Sequence, residues 1–382
     1  MMRHFVCVAL LSTAIGGFAY SQDDAVLGKP KSEWLTILDN HEKTRMRKAA
    51  VLALGIVGPQ KKDVLPALLK ALANDKDEDV RLQVVTTLGQ LNTKNTTLGQ
   101  LNLKDALPGL ADAVKDDKSA AVRAAAATLL GNLNEDANPA LMVLLNACKD
   151  ADPTVRAAAA ESVGKIGPEA AKTASSALLP LLKDPEQSVR FSAVFAYGRL
   201  GPDAGLMIPD LIQALETDVD ASVRREAARS LLLMGGGSSI KLVLPAFMKS
   251  LKDDTALEVR RQVALNLTKF GDLRTVAGDL FTAFGTEKDR TIRLFLVRAI
   301  PAGLGDTFKD HVKQYADLIV KEPEADVRLA LIQEVGARGV GAKEAIDALQ
   351  AAQNDVVLQV REAAKQAVMD VKGIARKEPK KP

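Results

Sequence analysis

Few side chains in this chain could do chemistry. Histidine occurs at positions 4, 41 and 311 and cysteine at 7 and 148. A metal centre or a nucleophilic site needs several such groups converging on one point. His41 and His311 stand 270 positions apart, too far to share a site in a chain built of local units. Cys148 lies in the context Leu145-Asn146-Ala147-Cys148 and reads as a small core residue rather than a nucleophile. Gly235-Gly236-Gly237, followed by Ser238-Ser239, reads as a loop between helices rather than a phosphate cradle. No P-loop, dinucleotide fingerprint or Gly-x-Ser-x-Gly elbow is present. These residues assign no catalytic group, cofactor or metal, and the expectation is a non-enzymatic chain.

The charged residues, by contrast, are arranged with a period. Val-Arg or its equivalent recurs ten times, at Met46-Arg47, Val80-Arg81, Val122-Arg123, Val155-Arg156, Val189-Arg190, Val223-Arg224, Val259-Arg260, Ile292-Arg293, Val327-Arg328 and Val360-Arg361. The spacing is 33 to 36 residues except for one step of 42. That step contains a ten-residue tandem duplication, TTLGQLN at 86–92 and again at 96–102, read as a longer loop or an extended helix end. Such a period is the signature of a helical-repeat solenoid. It also answers the problem of length, because 382 residues exceed what one globular core usually holds. With 47% hydrophobic but only 4% aromatic residues, small aliphatic side chains must fill thin helix-on-helix layers.

With Val as position zero, offsets 0, +4, +8 and +11 are apolar, as in Val155, Ala159, Val163 and Ile166 or Val189, Ala193, Tyr197 and Leu200. At 3.6 residues per turn these share one face of a helix, here named helix B. Offset +4 is small at Ala50, Ala126, Ala159, Ala193, Ala227 and Ala364, which lets neighbouring helices approach closely. Nine copies carry an acid five residues before the Val: Asp75, Asp117, Asp150, Asp184, Asp218, Asp254, Glu287, Glu322 and Asp355. The first copy has His41 instead. An acid there should accept backbone N–H groups and favour the positive end of helix B. Glycines such as Gly164 and Gly167, or Gly198 and Gly201, should then stop the helix. Helix A precedes B. Pro66, Pro108, Pro209 and Pro245 each lie fourteen residues before the Val, so helix A starts or bends there, and Pro180 should kink its own.

This unit of early Pro, Lys-Asp-x-x-x-x-Val-Arg-x-x-Ala-Ala and Leu-Gly-x-x-Gly-Pro resembles the HEAT repeat, particularly the bacterial HEAT-like repeats of phycobilisome lyases. The resemblance spans roughly Ser32 to Val371. It implies an all-α solenoid of about ten helix pairs, on the order of 100 Å long at 8 to 10 Å per layer. It also implies that the acids and the arginines after Val form a structural ladder between repeats, and that B helices line a concave surface. Departures at Gly235-Gly236-Gly237 and Pro301-Ala302-Gly303 suggest altered curvature. HEAT-type di-iron hydroxylases carry several His-Glu pairs, and this chain has only His41-Glu42. The lyase likeness leaves an enzymatic alternative: a HEAT-like-repeat lyase or accessory subunit acting on a cofactor-bearing protein.

Both termini stand apart. Arg3, the apolar run Phe5 to Ala19 and Ala19-Tyr20-Ser21 before Gln22-Asp23-Asp24 form a secretory signal peptide over 1–21. The run is shorter than the roughly 20 residues that span a bilayer, so cleavage is preferred to retention as an anchor. The expected domains are this signal, a short linker 22–31, the solenoid 32–371 and a disordered basic tail 372–382. The expected location is periplasmic or extracellular. Cleavage would leave Cys148 alone, so packing without disulfides must hold the fold. Five cations against Glu378 place the positive charge in the tail and leave the body near neutral, which argues against nucleic acid. The face of helix B at offsets +2 and +6 should meet a partner. In the middle copies it carries Phe191, Phe195, Arg225, Arg229, Arg261, Leu265, Leu294 and Arg298, the aromatic and Arg types that dominate interfaces. The expected partner is an acidic or amphipathic segment of another protein, with no cofactor. The competing structural role for the two Phe side chains is burial against a neighbouring repeat.

Overall fold

The computed structural model describes residues 25–58, 62–91, 103–201, 206–234 and 239–374. Residues 1–21, expected to be a signal peptide, Gly235 to Gly237, most of the duplicated segment and the end of the tail lie outside these residues. The described residues form α-helices, short 3₁₀ turns and one isolated bridge between Val26 and Lys29. The chain divides into two compact units, Met1–Ile166 and Gly167–Pro382.

The first unit stacks four pairs: α1 (Lys31–Asn40) with α2 (Thr44–Val57), α3 (Val64–Asn74) with α4 (Glu78–Leu91), α5 (Leu107–Asp116) with α6 (Ala120–Gly131), and α7 (Leu141–Ala147) with α8 (Pro153–Ile166). The second stacks six: α9 (Ala171–Leu178) with α10 (Gln187–Leu200), α11 (Ile208–Thr217) with α12 (Ala221–Met234), α13 (Ile240–Asp253) with α14 (Leu257–Leu267), α15 (Ala277–Thr286) with α16 (Arg290–Leu304), α17 (Val312–Lys321) with α18 (Ala325–Ala337), and α19 (Ile346–Ala352) with α20 (Leu358–Lys372). Each unit is an α-helical repeat solenoid in which the even-numbered helices are the B helices of the sequence register.

The apolar stripe of helix B is the core. Val155, Ala159 and Val163 are fully buried, as are Val189, Ala193, Tyr197 and Leu200. Every small residue named at offset +4 is fully buried as well. The proline expectation divides. Pro108 and Pro209 sit at the second position of α5 and α11, where the missing N–H costs nothing. Pro245 lies inside α13, and at Pro180 helix A passes from α9 into a 3₁₀ turn, Leu179–Lys183. At the first pair, residues 25–30 form a turn rather than an open linker. Trp34 Nε1 donates to the Val26 carbonyl at 2.9 Å and the indole is buried.

The repeating acid stands elsewhere than expected. Asp75, Asp117, Asp218, Asp254, Glu287 and Glu322 are C-caps of helix A, not N-caps of helix B. A negative charge at a helix C-terminus is unfavourable by itself. Two guanidiniums offset it. The Arg of the preceding repeat grips the carboxylate with Nε and Nη2, at 2.7 and 2.9 Å for Arg47 on Asp75 and 2.7 and 2.9 Å for Arg224 on Asp254. The Arg of the same repeat donates Nη1 to the acid's backbone carbonyl, as Arg81 does to Asp75 at 2.8 Å. The carboxylate also accepts the N–H two residues on, as Asp75 does from Asp77 at 2.9 Å, and so shapes the turn into helix B. Rungs of this kind join Arg47, Arg81 and Arg123 to Asp75, Asp117 and Asp150 in the first unit. In the second they join Arg190, Arg224, Arg260, Arg293 and Arg328 to Asp218, Asp254, Glu287, Glu322 and Asp355.

Glycine has two roles, and the sequence reading merged them. Gly167 and Gly201 stop α8 and α10 with φ of 88° and 74°, a region unfavourable for other residues. Gly131 and Gly198, three residues earlier in the register, lie inside their helices. There they receive Ser162 and Ser230 of the next B helix, whose hydroxyls donate to the carbonyls of Ala127 and Val194 at 2.8 and 2.9 Å. A Cβ on Gly131 would stand 2.7 Å from Ser162 Cα, a backbone atom that cannot swing aside. Further along, α16 continues through Pro301 and stops at Gly305, φ 51°.

Gly131→Ala should therefore lower the urea midpoint, by about 1 to 3 kcal/mol of stability, whereas Gly278→Ala, with nothing within 4 Å, should leave it unchanged or raised. Hydrogen bonds from Arg123 and Arg328 hold Asp150 and Asp355 below the usual carboxylate range. The folded-state values lie under the unfolded ones, so this stabilisation is complete above about pH 4 and disappears as pH falls through the lowered values. Melting temperature should fall along that acid limb, and less steeply in Arg123→Gln.

Candidate functional site

The stripe singled out by residue type lies on four consecutive B helices of the second unit. α10 supplies Phe191 and Phe195, both half-buried. α12 supplies the exposed Arg225 and Arg229, α14 the exposed Arg261 and Leu265, and α16 the half-buried Leu294 with the exposed Arg298. The two Phe side chains are neither free in solvent nor fully core.

The four arginines differ in what they already hold. Arg261 forks onto Asp289 at 3.1 and 2.7 Å, and Asp289 in turn caps α16 by accepting Ile292 N–H at 3.0 Å. This cation is thus part of the turn between repeats. Lys48, at the same offset in the first unit, behaves alike and stands 3.5 Å from Asp79. Arg225 occupies that offset too, but the residue matching Asp289 in the following repeat is Ala256, which has no carboxylate. Among the described residues neither Arg225 nor Arg298 forms an ion pair. Arg229 is tethered loosely, with Nη1 3.7 Å from Glu226 Oε2.

Sequence reasoning missed Glu226. Its side chain is buried beside an exposed cation, and burial raises its carboxyl pKa against the opposing pull of Arg229 and Arg225. The signal was available, because offset +3 carries an acid in this copy alone. Glu334, half-buried on α18, is likewise raised by burial, with Arg338 and Arg298 opposing.

Elsewhere an open groove of about 660 Å³ lies between α18 and α20, lined by Gln333, Gly336, Ala337, Ala363, Gln366 and Asp370 among others. Gln333 and Gln366 occupy offset +6, so the B-helix face continues into it. The two described histidines are held structurally: His41 Nδ1 accepts Lys43 N–H at 3.1 Å, and His311 stacks on Phe281 at 5.7 Å. No cluster of metal-ligating side chains occurs among the described residues, and no described helix is long and apolar enough to cross a membrane.

The sequence model for the family described as HEAT repeats matches residues 32–127, 107–198, 175–268 and 208–300. No curated protein matches the chain. Among solved structures, an engineered protein is similar at 20% identity and TM-score 0.54, over 90% of this chain and 98% of that one. A chain from a structure on Kap95p binding inducing the switch loops of RanGDP to adopt the GTP-bound conformation is similar at 14% identity and TM-score 0.57. That match covers 90% of this chain and about half, 51%, of the other. E. coli YibA aligns at 23% identity and TM-score 0.48, over 73% of this chain and 99% of its own. At these identities the likeness is one of fold.

Cys148 is 1% exposed and burial pushes its thiol up to about 12. A thiol reagent at pH 8 should leave the native protein unmodified and label it fully once unfolded in denaturant. Native labelling at the unfolded rate would mean that α7 opens readily.

Proposed function

The chain belongs to the family of HEAT repeats, and on that premise we propose that it is an exported, non-enzymatic scaffold that binds a protein segment along the B-helix face of its middle repeats. The observation that carries this reading is the contrast among equivalent cations. Arg261 is held by the scaffold itself, on Asp289. Arg225 is left exposed between the helix of half-buried Phe191 and Phe195 and that of exposed Leu265, and Arg298 is exposed on the same helix as half-buried Leu294. Apolar anchors flanking cations suit an acidic or amphipathic segment, with the aromatic and Arg side chains as its energetic centre. A nucleic acid would require a basic face over many repeats, and here the folded body is near neutral. The Kap95p structure concerns binding between proteins, the class of partner adopted here.

Export rests on residues 1–21 and their three-part pattern. In the native host the protein should be recovered outside the cytoplasm with Gln22 as its first residue.

Affinity capture from that fraction tests the site. Wild-type protein should retain a defined partner that Arg225→Gln/Arg298→Gln loses while keeping its melting temperature, since both side chains are exposed. Phe191→Ala/Phe195→Ala should also lose the partner, with a lower melting temperature because both rings are half-buried. Unchanged capture by the arginine variant would remove this face from consideration.

A further inference from the structure

The face that each B helix turns to its successor can be read residue by residue. Offset +1 is the arginine that grips the next acid. The carbonyls of +5 residues Ala127, Val194 and Ala228 accept from Ser162, Ser230 and Asn266 of the following B helix. At +9, Gly55, Gly131 and Gly198 receive Thr87, Ser162 and Ser230. In α20, the last helix, these three offsets are Arg361, Lys365 and Met369.

Each departs from the interior pattern. Arg361 makes its backbone contact, Nη1 to the Asp355 carbonyl at 2.7 Å, as the interior arginines do. Its remaining donors, which in eight rungs hold a carboxylate, have no acidic partner among the described residues. Offset +5 is a buried Val, Ala or Ile in all nine earlier copies, as at Val51, Val194 and Ile332. Lys365 is 53% exposed, joined only to the equally exposed Glu362 at 2.9 Å. Met369 stands at +9, where six earlier copies carry glycine and three carry Leu232, Thr268 and Pro301, and is 36% exposed. Leu358, at the start of the same face, is 57% exposed.

A further repeat does not fit here, because it would bury Lys365 without a partner. A second copy stacking head to tail also meets the wrong group, since its first pair carries His41 where a rung requires an acid. We propose that the outer face of α20 is a docking surface for an acidic segment of a partner protein, clamped by the open fork of Arg361 and flanked by Lys365 and Lys372. The eight interior rungs show what such a fork binds. Lysine in place of the buried aliphatics gives this face the polar character of a terminal repeat and a charge complementary to an acidic occupant, and Leu358 and Met369 offer contact to apolar residues within it. Exposed pairs such as Lys365 with Glu362 exchange partners at little cost. This surface is separate from the stripe on α10 to α16, and either can fail without the other.

Fluorescence anisotropy with a fluorescein-labelled decaglutamate peptide tests it on the full chain. Arg361→Gln/Lys365→Gln should weaken binding about tenfold or more, with the melting temperature unchanged. Arg361→Lys/Lys365→Arg, which keeps the charge, should recover part of the loss. Lys70→Gln/Lys115→Gln, at two exposed cations of the first unit, and a chain ending at Ile374 should both bind within about twofold of wild type, less than 0.5 kcal/mol. The proposal is overturned if wild type does not bind, if the α20 variant binds like wild type, or if removing residues 375–382 abolishes binding and so places the site in the tail. It is equally overturned if sedimentation shows self-association that Arg361→Gln dissolves, which would make a second copy the occupant.

Discussion

A carboxylate at the end of helix A has three demands on it, and only the preceding repeat can meet the strongest. Asp75, Asp254 and their counterparts end a helix whose dipole disfavours them, shape the turn that follows, and lie nearly out of solvent. A planar guanidinium from the previous B helix meets the charge with two parallel donors. No repeat can therefore complete its own A–B turn. Removing one member of such a pair leaves the other desolvated and uncompensated, a loss of about 3 to 5 kcal/mol where burial is complete. The ladder and the apolar stripe beneath it make each unit cohere through contacts between neighbours, as expected of repeat arrays.

The same geometry determines which surface is left for function. Offsets 0, +4, +8 and +11 are consumed by the core, and +1, +5 and +9 by the next repeat. What remains on helix B is the arc around +2 and +6. Even there the scaffold takes a cation through an acid of the following repeat, as at Lys48 and Arg261. Arg225 forms no such pair among the described residues: it lacks the counterpart of Asp289, where Ala256 stands, although Glu258 matches the Asp79 that Lys48 meets.

Buried polar groups follow the same economy. Ser162, Ser230 and Asn266 lie in the B–B interface and each returns a hydrogen bond to a backbone carbonyl of the preceding helix. They tie the helix pair where an aliphatic residue could only pack. Glu226 differs, with no oppositely charged group closer than Arg229 at 3.7 Å. Its carboxylate sits at the base of the cationic part of the stripe and contributes to the field that a partner would meet there.

The sequence by itself determined the repeat, its register, the buried stripe and the sparse chemistry. These follow from helical periodicity and from residue type, both of which are local properties. It placed the acid correctly in the chain and in the turn whose N–H groups it accepts, but assigned its charge to the wrong helix end, since only two residues separate the C-cap of A from the start of B and periodicity does not resolve the two. It also treated all terminal glycines as stops. Gly201 is one, whereas Gly198 exists to admit Ser230 from another helix, a contact with no local trace. Only the tertiary structure decided which of four similar arginines is held by the next repeat, because Arg261 reaches a residue 28 positions away across a repeat boundary. Burial of Glu226 and the open fork of Arg361 belong to the same class: both are set by what the neighbouring helix does or does not present.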